Sequence, residues 1–71
     1  MRHFLLALVM IRFHNPKDAV RILRVFDRVL QLHPNRDASN YVFLSRMAFN
    51  RSDDKGAFIY AMKAAKELVN A

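Results

Sequence analysis

The chain has 71 residues, which make one domain at most, and it contains no cysteine. It therefore cannot form a disulfide or use a thiolate as a zinc ligand or nucleophile, and a cysteine-free sequence favours a reducing, cytoplasmic compartment. Its net charge is +6 and 54% of its residues are hydrophobic, more than the roughly 45–50% of ordinary domains, which predicts that a partner covers part of the apolar surface.

The first predicted element is the apolar run from Phe4 to Ile11, whose continuity alone does not separate a helix from a strand. Its Leu, Ala and Met content favours a helix. The run is too short to span a bilayer, which takes about 20 residues. A secretory signal is disfavoured because Arg12 interrupts the run and no small-residue cleavage site follows it. A helix that is hydrophobic all round must be buried on most sides, so we expect a second chain, another copy or a different subunit, to cover it. The predicted contact residues are Phe4, Leu5, Leu8, Val9 and Ile11.

The second predicted element is a helix that Asn15 caps and Pro16 begins. It runs to about His33, because Pro34 cannot continue a helix and disfavours helical geometry in the residue before it. Apolar residues recur along it at the i, i+3, i+4, i+7 spacing of a buried helical stripe. This stripe consists of Ala19, Ile22, Leu23, Phe26, Val29 and Leu30.

Basic residues of the same helix recur at i, i+4, i+7 and i+11 and form one line, here called the basic edge. The basic edge consists of Lys17, Arg21, Arg24 and Arg28, with Asp27 as the nearby acid. Residues 1–36 hold seven basic and two acidic residues, whereas residues 37–71 hold five and four. The edge could bind an acidic protein or a nucleic-acid backbone. A solvated face opposite the buried stripe explains the same pattern, and no nucleic-acid-binding motif accompanies it.

Two further helices are predicted after Pro34. Asp37 is expected to cap the third helix, from Ala38 to about Asn50, and Ser52-Asp53-Asp54 to begin the fourth. The stripe of the third helix is Tyr41, Leu44, Ser45 and Ala48, and further apolar residues lie elsewhere around it, namely Val42, Phe43, Met47 and Phe49. The stripe of the fourth helix is Ala57, Ala61, Ala64, Ala65 and Leu68, whose small side chains let a neighbouring helix approach closely. Short turns predict a single all-α domain over residues 1–71, with four antiparallel helices arranged as two helical hairpins.

The last two helices resemble a tetratricopeptide repeat. The residues that carry the resemblance are Tyr41, Leu44, Ser45, Ala57, Tyr60 and Ala64, with the Ser52-Asp53 turn between the helices. An aromatic residue followed by an alanine sixteen positions later is typical of this family, and Tyr41 and Ala57 have this spacing. Ser45 stands where the family prefers glycine and Ala48 where it prefers an aromatic residue. Pentatricopeptide repeats, which bind RNA, share this spacing, but Phe26 and Pro34 follow the tetratricopeptide count better. The resemblance implies a TPR-like scaffold that binds peptides or proteins.

No catalytic, cofactor or metal site is predicted. The three histidines, His3, His14 and His33, are scattered and lack a partner at metal-binding spacing. Asp53 and Asp54 are explained by helix capping rather than by acid–base chemistry. We therefore expect a non-enzymatic interaction module, a small subunit or adaptor of a larger assembly. The alternative is a basic helical protein that associates with RNA, the ribosome or another nucleic acid.

Overall fold

The structure is a computed structural model that describes residues 6–10, 13 and 15–70. In those residues there are four helical stretches and no strand: α1 at residues 6–10, α2 at Pro16–Leu32, α3 at Arg36–Asn50 and α4 at Asp54–Asn70. The prediction of an all-α chain is confirmed. Helix rather than strand is also correct for the described part of the N-terminal apolar run.

The ends of α2 follow from local sequence signals, as predicted. The Oδ1 atom of Asn15 accepts a hydrogen bond from the Lys17 N–H at 3.0 Å, and Pro16 occupies the first helical position. The helix ends at Leu32, one residue earlier than predicted, and Pro34 lies in the turn that follows. A proline both lacks the N–H that the next helical turn needs and restricts the residue before it.

The start of α3 differs from the prediction. The cap is Asn35, whose Oδ1 atom accepts a hydrogen bond from the Ala38 N–H at 2.9 Å, and the helix begins at Arg36. A capping side chain reaches the N–H two or three residues ahead, so either Asn35 or Asp37 could have served. Asp37 lies instead within the first turn, where its carboxylate favours the positive end of the helix dipole.

The turn from α3 to α4 is a Schellman motif that passes directly into a helix cap. The Ser52 N–H donates to the Phe49 carbonyl at 3.0 Å, and the Asp53 N–H donates to the Ala48 carbonyl at 2.9 Å. Ser52 adopts the left-handed conformation that this motif requires, with φ of 61°. Asp53 then accepts a hydrogen bond from the Gly56 N–H at 2.9 Å, which confirms that it caps α4.

The core is built from residues of α1 to α4 and from Phe13, and its α4 side is made of alanines. The predicted stripes of α2 and α4 are confirmed, except that Leu30 and Leu68 are only half-buried. Phe26 is the largest side chain with no exposed surface. The core residues are Val9, Phe13, Ala19, Ile22, Leu23, Phe26, Val29, Val42, Ala48, Ala57, Ala61, Ala64 and Ala65.

Helices α3 and α4 share the most extensive contact between described helices. In this contact the buried Ser45 hydroxyl donates a hydrogen bond to the Ala57 carbonyl at 2.7 Å. Nearer the start of α3, the rings of Tyr41 and Tyr60 stack with centroids 6.5 Å apart and an angle of 23° between their planes. The contact between the two helices is therefore joined by a buried hydrogen bond at Ser45 and by a pair of stacked rings at Tyr41 and Tyr60.

The predicted buried stripe of α3 is only partly correct. Ser45 and Ala48 are buried and Tyr41 is half-buried, but Leu44 is 39% exposed and Val42 is buried in its place. The reason is that α3 is contacted from two sides, by α4 and by α2, so its buried arc turns away from Leu44. On the side of α3 that faces α2, the Arg46 guanidinium donates a hydrogen bond to Asp27 of α2.

Candidate interaction surface

Three large apolar side chains lie exposed on the outer side of α3. Phe43 is 62% exposed, Met47 is 43% exposed and Leu44 is 39% exposed. Phe43 and Met47 are four residues apart, and Leu44 is three residues before Met47, so the three side chains occupy one face of the helix. This set is called the α3 apolar face below. Scattered apolar residues are normal on a protein surface, but neighbouring ones are typical of an interaction site.

The α3 apolar face exists because α3 is apolar on two sides. Its inner arc contains Val42 and Ser45, whereas Phe43, Leu44 and Met47 are exposed on the outer side of the same helix. The sequence prediction assigned Phe43 and Met47 to a region outside the buried stripe, but it did not identify them as a site. The signal that could have found them is the number of large apolar residues in α3, which exceeds what one buried stripe can hold.

An arginine stands at each end of the α3 apolar face. Arg36 begins α3, and Arg51 is the residue that caps its C-terminus, four positions after Met47. Residues 36, 40, 43, 47 and 51 are separated by three or four positions, which places them along one line of the helix. Both arginines are exposed. The outer line of α3 is therefore apolar in its middle and positively charged at its two ends.

The basic edge lies on the solvent-exposed side of α2. All four of its residues are exposed, and none of their four side chains makes an ion pair or hydrogen bond with another residue of the described part of the chain. Asp27, the acid expected to lie near the edge, is instead held by Arg46 of α3 through two hydrogen bonds of 2.8 and 3.3 Å. Asp27 is therefore paired with Arg46 and not with a residue of the basic edge.

The predicted contact residues of the N-terminal run are divided by the structure. Phe4, Leu5 and Ile11 lie outside the described residues. Leu8 is half-buried, and Val9 has no exposed surface because it packs into the core of its own chain. The assignment of Val9 to a partner-binding surface is therefore corrected. Within α1 the exposed side is marked by Met10, which is 58% exposed.

A cation lies beside the tyrosine pair that joins α3 to α4. The Nζ atom of Lys63 is 5.8 Å from the centroid of the Tyr41 ring and 5.9 Å from that of Tyr60. These distances suit a cation–π interaction with both rings. Since Lys63 already occupies the position over the rings, the cluster stabilises the contact between the helices and offers no open site for a cationic ligand.

Within the described residues, no group of three His, Asp or Glu side chains could hold a metal ion, and no helix there is long and apolar enough to cross a membrane. A shallow depression of about 360 Å³ lies at the turn between α2 and α3. Its lining has one charged residue, Arg36, and no acid–base pair; it consists of Leu30, Pro34, Asn35, Arg36 and Ser39.

Comparison of the chain with models of known protein families, with curated proteins and with solved structures found no match.

Proposed function

We propose that the chain is a non-enzymatic protein-interaction module, a small subunit or adaptor, and that it binds its partner through the α3 apolar face. The observation that carries this proposal is the exposure of Phe43 beside Leu44 and Met47. Burying such a side chain contributes roughly 1.5–3 kcal/mol. A core of this size supplies only about 3–5 kcal/mol, so the free energy available at this face is large for so small a protein.

The proposed scaffold for this face is a TPR-like array of antiparallel helical hairpins. Two contacts between α3 and α4 support it, since Tyr41 meets Tyr60 while Ser45, further along α3, meets Ala57, earlier in α4. Ser45, which is buried and hydrogen-bonded to α4, stands where a repeat of this family prefers glycine. In such arrays one helical face is left free for a partner.

The N-terminal run is a second proposed contact with another chain. In its described part the surface opposite Val9 is exposed, and Met10 is its largest exposed side chain. A second copy or a different subunit that packed here would bury the exposed apolar surface of Met10. The sequence prediction adds Phe4, Leu5 and Ile11 to this contact, and these three lie outside the described residues. This contact is separate from the α3 apolar face, and its test is the oligomeric state of the Met10→Glu variant compared with that of the wild-type chain.

Site-specific photo-crosslinking tests the proposed function. The photoreactive amino acid p-benzoylphenylalanine is a phenylalanine with an added benzoyl group, and it replaces Phe43, whose 62% exposure leaves room for that group. The same amino acid at Lys66 is the matched control on α4. After irradiation in native extract, we expect a discrete protein adduct from position 43 that is absent from position 66. Equal labelling from both positions, or adducts that nuclease removes, would contradict the proposal.

Nucleic-acid association through the basic edge is the second candidate function. It is favoured by the exposure of all four basic side chains and by the pairing of Asp27 with Arg46 instead of with any of them. Four phosphate contacts on duplex DNA would give a slope of about −3.6 in log affinity against log salt, or roughly a hundredfold loss between 50 and 200 mM. Replacing the four residues by glutamine should abolish that dependence. Binding through an apolar interface would change little with salt.

A further inference from the structure

We infer that the partner of the α3 apolar face is an acidic amphipathic helix, that is, a helix with apolar residues in its middle and carboxylates near both ends. This inference rests on the proposed function and specifies its partner. The observation behind it is the order of residues along the outer line of α3, where Arg36, Phe43, Met47 and Arg51 follow one another. A partner that buries the two apolar side chains lies between the two guanidinium groups.

The dimensions of this surface suit one partner helix. Arg36 and Arg51 are fifteen residues apart in the sequence, which corresponds to about 22 Å along a helix axis. The exposed apolar side chains occupy fewer than two turns in the middle of that length. A helix of about four turns, with apolar residues at i, i+3 and i+7, would place its first and last turns beside the arginines.

The acids of the chain do not neutralise these two arginines through any contact in the described residues. Asp37 lies about 100° around α3 from Arg36, on the line of Leu44, and makes no ion pair with Arg36. Asp53, which follows Arg51 by two residues, directs its carboxylate at the Gly56 N–H. The chain as a whole carries a charge of +6, so its wider field also attracts an acidic partner.

A second copy of this chain fits the same face poorly. A twofold dimer is isologous, so antiparallel α3 helices would bring Arg36 of each copy beside Arg51 of its partner, and parallel ones would bring like residues together. Either arrangement sets positive charges against positive charges. The face also exposes only roughly 300 Å² of apolar side chain, whereas a stable interface takes about 800 Å² from each partner. A single helix of opposite charge avoids the charge repulsion, and a face of this size suits weak, reversible binding rather than a stable dimer.

Two synthetic peptides test the inference with the full-length chain. Both are 18-residue helices held in shape by the same hydrocarbon staple, with three leucines on one face; one carries glutamates at its two ends and the other carries lysines. Fluorescence anisotropy at low salt measures their affinities. For two exposed ion pairs that change from attraction to repulsion, we expect the glutamate peptide to bind about tenfold more tightly.

Charge reversal on the protein makes the test specific to the site. The double variant Arg36→Glu/Arg51→Glu should prefer the lysine peptide, whereas the control Arg21→Glu/Arg28→Glu, with the same change in net charge on the basic edge, should keep the wild-type preference. Circular dichroism checks that both variants fold. Equal affinities of the wild-type chain for the two peptides, equal effects of the two double variants, or a Phe43-dependent homodimer in sedimentation would overturn the inference.

The two proposals fail in different ways. A protein adduct at position 43 together with equal affinities for both peptides would leave the interaction module standing and remove its acidic partner. An absence of adducts at position 43 would remove the proposed function itself.

Discussion

The packing of α4 gives the sharpest prediction about stability. Ala61 has no exposed surface and lies on the alanine side of the core, so Ala61→Leu adds three carbon atoms where no solvent can receive them. Overpacking of this kind costs about 1–3 kcal/mol. A cost of 2 kcal/mol would lower the Tm of a domain this size by roughly 8–16 °C and would remove about half of a stability of 3–5 kcal/mol.

Thermal and urea unfolding followed by circular dichroism measure this effect. Lys66→Leu is the matched control, because it introduces the same side chain on the exposed side of the same helix, and it should change the free energy of unfolding by less than about 0.5 kcal/mol. If Ala61→Leu were as mild as the control, α4 would not press its alanines against the rest of the core, and the described packing would be refuted.

Three smaller changes should follow local geometry, each measured by urea unfolding. Ser52→Gly should stabilise the chain by about 0.5–1 kcal/mol, because glycine accepts the φ of 61° without the steric cost of a Cβ atom; destabilisation would contradict the Schellman turn. Ser45→Ala should cost about 1 kcal/mol, the usual worth of the lost hydrogen bond to Ala57, and a neutral result would refute that bond. Asn35→Ala should lower the free energy of unfolding by about 1 kcal/mol, because it removes the cap of α3, and Asp37→Ala should lower it clearly less. The reverse order would indicate that Asp37 is the cap.

The order and type of the helices could be predicted because short-range signals determine them. Asn15 and Pro16 begin α2, Pro34 separates α2 from α3, and the Ser52-Asp53 turn separates α3 from α4. Each signal acts through bonds or steric contacts within a few residues, so no knowledge of the tertiary structure is needed to interpret it. The predicted cap of α3 was wrong because two good capping residues, Asn35 and Asp37, lie two positions apart and the local sequence does not choose between them.

The exposed face of α3 could not be predicted in the same way. Leu44 and Val42 are equally good core residues by type, and only the positions of α2 and α4 decide that Val42 is buried and Leu44 is exposed. The burial of Val9 likewise depends on which side of α1 meets the core. Arg36 and Arg51 indicate an acidic partner only once the outer line of α3 is known to face solvent.

Hydroxyl-radical labelling of the wild-type chain measures directly whether a partner covers the α3 apolar face. Modification of Phe43 and Met47 is compared with that of Ile59, which is exposed to the same 43% as Met47 but lies on α4. In the purified chain, Met47 and Ile59 should both be accessible to the reagent. In native extract, we expect labelling of Phe43 and Met47 to fall severalfold relative to Ile59. A ratio that is the same in the purified chain and in the extract would contradict it.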